Sequence, residues 1–211
     1  MALSERVVGI LLAGGRSSRM GGGDKCLRLL GGKPILAHII ERLTPQVTDI
    51  IINANGEASR FARFGLPVVP DSVTGFAGPL AGIHAGLEWI KANRPGSRYG
   101  VTVATDTPFF PLDLVQRFLA EQAERPSLVV ARSAEGTHPV IGLWPVALAG
   151  DIERSLQQGM HKVGGWTEQH NAVEVSFPPV EIGGRSIDPF FNINRPEDLA
   201  EAETRVTVHA P

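Results

Sequence analysis

The sequence predicts a single-domain α/β protein with a Rossmann-like three-layer arrangement around a mostly parallel central sheet. Three observations predict it. The short apolar runs Val7–Leu12, Asp49–Ala54 and Tyr99–Ala104 have the character of strands buried on both faces. Segments with helical spacing of apolar residues separate these runs, the alternation that builds parallel sheets. The chain has 211 residues, 43% of them hydrophobic and 20% charged, which suits one large globular domain.

Taken in order, Val7–Leu12 is the first predicted strand and runs into a glycine-rich stretch. The spacing of Ile35, Ile39, Ile40 and Leu43 predicts a helix over Ile35–Leu43, with Pro34 placed to start it. Asp49–Ala54 is the second strand, Ser59–Phe64 a short helix and Leu66–Val69 a third, short strand between Pro67 and Pro70. Leu80, Ile83, Leu87 and Ile90 share a face of a helix over Pro79–Lys91. Tyr99–Ala104 is the fourth strand, Pro111–Glu121 a helix and Ser127–Arg132 a fifth strand. The second half is less regular. It offers a strand at Pro139–Leu143, a helix over Val146–Gln157, a short helix within His161–Thr167, a strand at Ala172–Phe177, an extended Phe190–Ile193 and a helix over Pro196–Glu203. With no repeat or linker in view, residues 1–204 form one expected domain and 205–211 a flexible tail.

Composition narrows the function classes. A formal net charge of −2 offers nothing global for nucleic acid or an anionic membrane. The single cysteine, Cys26, excludes an internal disulfide and a Cys-rich zinc site. No apolar stretch approaches the roughly 20 residues of a membrane span, and Met1–Arg6 lacks the pattern of an export signal. These features favour the cytoplasm.

An anionic ligand must therefore be held by a local cluster, and residues 16–33, after the glycines that follow the first strand, supply one. Gly14, Gly15, Gly21, Gly22 and Gly23 let backbone N–H groups approach an anion. Arg16, Arg19, Lys25, Arg28 and Lys33 surround them, with Asp24 the one acid in the cluster. Lys25 is the candidate phosphate cation, neutralising charge that builds during transfer, and Arg19 a second. In a parallel sheet, ligands bind beyond the carboxyl ends of the strands. Gly14, Asn53, Asp71 and Asp106 stand at four successive predicted strand ends. Asn and Asp also favour turns for conformational reasons, but together these residues outline one site. Asp106 is the candidate Mg²⁺ ligand, since that ion takes one or two carboxylates plus phosphate oxygens. The loop has neither the Walker A pattern nor G-x-G-x-x-G at the first turn, which argues against P-loop NTPases and NAD enzymes. Cys26 reads as a small buried residue, His84 as a core or edge residue, and His138 as a strand residue that could face the site.

Leu12–Lys25, read as L-A-G-G-x-S-x-R-M-G-x-x-D-K, resembles the start of the molybdenum cofactor guanylyltransferases. The resemblance continues through Gly32–Pro34, Asn53–Asn55, Asp71, Gly78–Gly82, Asp106–Pro108, His138–Pro139 and Phe191–Leu199, nearly the whole chain. It implies transfer of GMP from GTP to the terminal phosphate of molybdopterin or the molybdenum cofactor, releasing pyrophosphate and forming the guanine dinucleotide. By position it implies that Leu12, Ala13 and Gly14 hold the nucleotide, with Gly15 and Arg19 near the transferring phosphate. Lys25 contacts phosphate, Asn53 and Asp71 contact the nucleotide, and Asp106 binds nucleotide and Mg²⁺. Asn192 and Asn194 lie on the pterin side, so the N-terminal half binds nucleotide and the C-terminal half the pterin. Capping of the helix after Pro196 accounts for the two asparagines equally well. The implied partners are GTP and molybdopterin, extending to cofactor-biosynthesis proteins and recipient molybdoenzymes. Two departures stand out: Arg195 replaces a common Ser or Thr, and Gly159–Trp166 carries one firm cation, Lys162. A cytidylyltransferase, a sugar-phosphate nucleotidyltransferase and a non-catalytic nucleotide-binding module remain open as alternatives.

Overall fold

A computed structural model of the chain describes residues 7–14, 24–71, 78–122 and 126–206. The first strand, β1 (Val7–Leu12), is buried at every position. It is followed by a 3₁₀ turn at Lys25–Leu27, a ribbon of β2 (Leu29–Leu30) and β3 (Lys33–Pro34), helix α1 (Ile35–Leu43) and strand β4 (Asp49–Asn53). Next come a 3₁₀ helix at Ala58–Phe64, β5 (Val68–Val69), α2 (Pro79–Asn93), β6 (Tyr99–Ala104) and α3 (Leu114–Ala120). The remaining elements are β7 (Val129–Ser133), β8 (Gly136–Pro145), α4 (Ala149–Gln157), α5 (Val163–Gln169), β9 (Val173–Ser176), β10 (Val180–Ile182), β11 (Arg185–Ile187) and α6 (Pro196–Val206).

The central sheet has seven strands in the order β5-β4-β1-β6-β8-β7-β9. Every pairing is parallel except those of β8, which runs antiparallel between β6 and β7. Strand order moves outward from β1 to β4 and β5, then returns to place β6 on the other side of β1. The β1/β6 crevice is thus the switch point where α/β sheets take ligands. Alternation along β1 divides its side chains between two cores. Val7 and Leu11 pack with α1 and α3, whereas Val8, Ile10 and Leu12 pack with α2, α4 and α5. Burying each large aliphatic side chain stabilises the layers by roughly 1.5–3 kcal/mol. Glycines set how close α2 comes to the sheet. A Cβ at Gly86 would meet Ile10 at 2.6 Å, and one at Gly82 would overlap Asn53 Oδ1.

The first five expected strands are present, with Asp49–Ala54 and Leu66–Val69 shortened to β4 and β5 and Ser127–Arg132 shifted to β7, Val129–Ser133. The largest difference is the β7–β8 hairpin. The expected strand Pro139–Leu143 is a ten-residue strand, β8, folded back on β7. The β7–β8 register shifts between Val130 and Ala131, and Pro139 falls in that irregularity, where its missing N–H breaks no ladder bond. The ribbons β2–β3 and β10–β11 were not expected; each turns on a glycine pair with positive φ, Gly31–Gly32 and Gly183–Gly184. The expected helix Pro111–Glu121 begins only at Leu114, and that over Val146–Gln157 divides into a 3₁₀ turn and α4. Helix α6 runs to Val206, so Arg205 and Val206, expected in the tail, are helical. Among the described residues, no helix is long and apolar enough to cross a membrane.

Candidate active site

The carboxyl edges of β1, β4 and β6 are tied together before any ligand-facing group is considered. Ala13 N–H donates to Asn53 O at 2.9 Å, joining the ends of β1 and β4. Buried Thr105 donates its hydroxyl to Leu12 O at 3.1 Å, joining β6 to β1. Thr107 Oγ1 returns to Ala104 O at 2.7 Å and shapes the turn that carries Asp106. Beside it the C-terminal half enters: Ile193 N–H donates to Asp106 O at 2.9 Å, placing the segment before α6 against the end of β6.

Three predicted residues meet there. Lys25 Nζ donates to Asp106 Oδ2 at 2.7 Å and to Asn194 Oδ1 at 2.6 Å. The Lys25 and Asp106 side chains remain 21% and 22% exposed, so the pair is reachable from solvent. Asn194 does not spend its side chain on capping α6. Asp198, in the first turn of α6, reaches back to accept the backbone N–H groups of Asn194 and Arg195 at 2.8 Å each, the reciprocal half of a capping box. An acid in the first turn of a helix also suits the positive end of its dipole. The Asn194 side chain itself accepts from Lys25. Asn192 is exposed two residues earlier in the same segment.

A second group lies at the β4 and β5 ends. Asn53 is 3% exposed and uses both amide hydrogens, on Val69 O at 3.1 Å and Asp71 Oδ1 at 3.0 Å. Asn55 Nδ2 donates to Asp71 Oδ2 at 2.7 Å, and Asp71 N–H donates back to Asn55 Oδ1 at 2.9 Å. Asp71 is therefore fixed on both oxygens, and Asn53 is the buried support beneath it. Asn55 enters the sequence reading only as part of the Asn53–Asn55 motif; the Asn-rich end of a buried strand is its one signal. Gly14 is exposed at the end of β1, while Leu12 is buried and its side chain belongs to the core beneath α2. Gly15 and Arg19, expected near the transferring phosphate, lie outside the described residues, as does Arg16.

Cys26 packs into the core directly after Lys25. Burial, with the nearby Asp24 carboxylate, pushes its thiol up to about 11. It stays protonated at neutral pH, so it anchors the turn and is no nucleophile. His138 lies on β8, within 2.8 Å of Ser133 Oγ and with its ring 4.7 Å from that of Phe190. Burial lowers its pKa, against the opposing pull of Asp188 and Glu135. His84 is buried in α2, as expected of a core residue.

Among the described residues, no group of three His, Cys, Asp or Glu side chains is placed to hold a metal unaided. Asp106 offers one carboxylate at the crevice. That donor set suits Mg²⁺ arriving with a triphosphate, whose oxygens and waters complete its shell. It does not suit a resident metal caged by protein.

Residues 9–173 match the family model described as MobA-like NTP transferase domain. The chain is 51% identical over 199 residues to the molybdenum cofactor guanylyltransferase of Bradyrhizobium sp. (strain ORS 278), covering 93% of this chain and 92% of that protein. In fold it is similar to molybdopterin-guanine dinucleotide biosynthesis protein A from Archaeoglobus fulgidus, with a TM-score of 0.68 at 22% identity, over 93% of this chain and 97% of that one. A Mycobacterium tuberculosis protein crystallised in complex with manganese is likewise similar in fold, with a TM-score of 0.66 at 17% identity, over 94% of this chain and 98% of that one.

Proposed function

This chain belongs to the MobA-like NTP transferase family, and from that premise we propose that it transfers GMP from GTP to the terminal phosphate of molybdopterin or its molybdenum-loaded form. An oxygen of that phosphate attacks the α-phosphorus of GTP. The bond from the α-phosphorus to the bridging oxygen breaks, and pyrophosphate leaves with the electron pair. The guanine dinucleotide form of the cofactor results. The half-identical relatives that carry this activity in their name support the choice of substrates.

One observation carries the chemistry: Lys25 and Asp106 meet at the switch point of the sheet, with Asn194 from the opposite end of the chain closing on them. Phosphoryl-type transfer needs positioning and charge neutralisation more than a covalent residue. Lys25 supplies the cation, and its benefit is greatest in the transition state, where charge spreads over phosphate oxygens. Leu12, Ala13 and Gly14 border the nucleotide, which Asn53 reaches through the doubly held Asp71. Gly15 and Arg19 are assigned to the transferring phosphate. Asn192 and Asn194 face the pterin substrate, and Asn194 also steers Lys25. Asp106 would hold Mg²⁺, which when bound would neutralise phosphate charge and orient the triphosphate. The manganese complex of the fold neighbour is in keeping with a divalent ion. Recipient molybdoenzymes and other cofactor-biosynthesis proteins are the partners this activity calls for, in the cytoplasm.

A thermal-shift panel with GTP, CTP, ATP and UTP, each with and without Mg²⁺, tests the nucleotide assignment. Ligand at 100 times its Kd stabilises by about 2.7 kcal/mol, an easily measured shift. The expected result is a shift led by GTP and increased by Mg²⁺. A shift led by CTP would replace this reading with a cytidylyltransferase.

A further inference from the structure

Arg60 lies in the 3₁₀ helix after β4, away from every motif the sequence singled out, yet its guanidinium joins the two halves of the nucleotide site. Nη2 donates to Asn55 O at 2.6 Å and Nη1 to Glu57 O at 2.7 Å. Gly56, at φ +84, bends the loop between those carbonyls around the guanidinium. Nε lies 2.6 Å from Asp24 Oδ2, an ion pair between side chains 26% and 22% exposed that is close in distance but lacks the alignment of a hydrogen bond. The Arg60 guanidinium also lies over the Phe61 ring, 4.7 Å from its centroid. On one side, then, Arg60 holds Asn55, whose side chain fixes Asp71. On the other it is ion-paired to Asp24, the residue before Lys25.

Asp24 controls where Lys25 starts. Its carbonyl accepts Leu27 N–H at 3.0 Å, closing the 3₁₀ turn that begins with Lys25. Cys26, buried in the core, pins the turn from below. Without a cation on Asp24, a free carboxylate would stand beside the phosphate-binding lysine, repelling phosphate and competing for the ammonium.

The geometry points to Arg60 as a positioning residue for nucleotidyl transfer. Through Asp24 it holds the backbone from which Lys25 reaches Asp106, and it neutralises the carboxylate beside that lysine. The inference rests on Lys25 being the phosphate cation of the proposed reaction. It commits Arg60 to acting through Lys25 and not through the nucleotide directly.

A double-mutant cycle tests it. Arg60→Gln and Asp24→Asn are each made alone and in the Lys25→Ala background, and GMP transfer is measured with folding followed by thermal melting. Each single variant is expected to melt as a folded protein and to lose about tenfold in kcat, because small misplacements of a catalytic group are costly. In the Lys25→Ala background the same changes should cost less than about twofold, since coupled residues are not additive. Arg60→Lys should recover part of the loss. Equal losses in both backgrounds, an effect confined to KM, or unchanged kcat would each overturn the inference. If the unsubstituted protein transferred no GMP, the proposed reaction would fall before any variant was compared. The cycle would then be read on the Mg²⁺-dependent thermal shift with whichever nucleotide binds, and the same additivity criterion would decide it.

Discussion

Lys25 Nζ and Asp106 Oδ2 meet at 2.7 Å across 81 residues of sequence, and the contact sits in the crevice between β1 and β6. Both side chains keep about a fifth of their surface exposed, so the pair itself adds little stability, on the order of 1 kcal/mol or less. Its value is chemical. Lys25→Ala and Asp106→Ala should therefore melt within a few degrees of the unsubstituted protein. Lys25→Ala should lower kcat by roughly 10²–10³, more than it changes KM for GTP. Asp106→Ala should abolish transfer at any Mg²⁺ concentration. Steady-state kinetics beside melting curves would check both, and a loss confined to KM would reduce Lys25 to a binding residue.

Gly82 makes a second case. Alanine is the better helix former by about 1 kcal/mol, so propensity alone would favour Gly82→Ala within α2. Its Cβ, however, would overlap Asn53 Oδ1. The Asn53 amide must then shift and loosen its bonds to Val69 O and Asp71. The substitution is expected to destabilise by about 1–3 kcal/mol and to raise KM for GTP more than it lowers kcat. A more stable variant with unchanged KM would contradict the support role of Asn53.

His138 gives the protein an acid sensitivity of known sign. Burial depresses its pKa below the ordinary 6.5, so the unfolded chain binds its proton more readily than the folded one. The stability it contributes is present above pH 6.5 and is lost as pH falls through the depressed value. Melting temperature should fall more steeply below that pH in the unsubstituted protein than in His138→Gln. Identical pH profiles would contradict it.

Cys26 is expected to be inert. With its thiol near 11 and its side chain buried, native protein at pH 8 should resist alkylation by iodoacetamide, whereas unfolded protein should react. Cys26→Ala should cost about 1–2 kcal/mol of stability and lower kcat far less than Lys25→Ala does. Rapid native labelling with loss of transfer would show a reactive thiol.

Much of this architecture is legible in the chain because buried parallel strands leave a simple signal. Val7–Leu12 and Tyr99–Ala104 are apolar on both faces, and both stand in the structure with those bounds. The strand-end rule also brings Asp106 and Gly14 to one sheet edge. The β7–β8 hairpin escapes because β8 lies between β6 and β7, so burial on both faces hides the direction of the strand. Gly136, at φ +126, starts β8 just after the turn that joins it to β7. At the site, the Asn194 contact with Lys25 is invisible to local reading, since capping explains an asparagine before a helix equally well. Only the geometry shows its side-chain oxygen accepting from Lys25. Arg60 escapes for a related reason: nothing local in a short 3₁₀ helix marks an arginine whose partner, Asp24, lies far away in sequence.

The most direct test of the account is the product. Purified protein incubated with molybdopterin, Mg²⁺ and either GTP or CTP would be analysed for the pterin dinucleotide and released pyrophosphate. The account predicts the guanine dinucleotide and equimolar pyrophosphate from GTP, with CTP far poorer and the Asp106→Ala variant inactive. Cytosine dinucleotide as the main product, or pyrophosphate release without any dinucleotide, would contradict it.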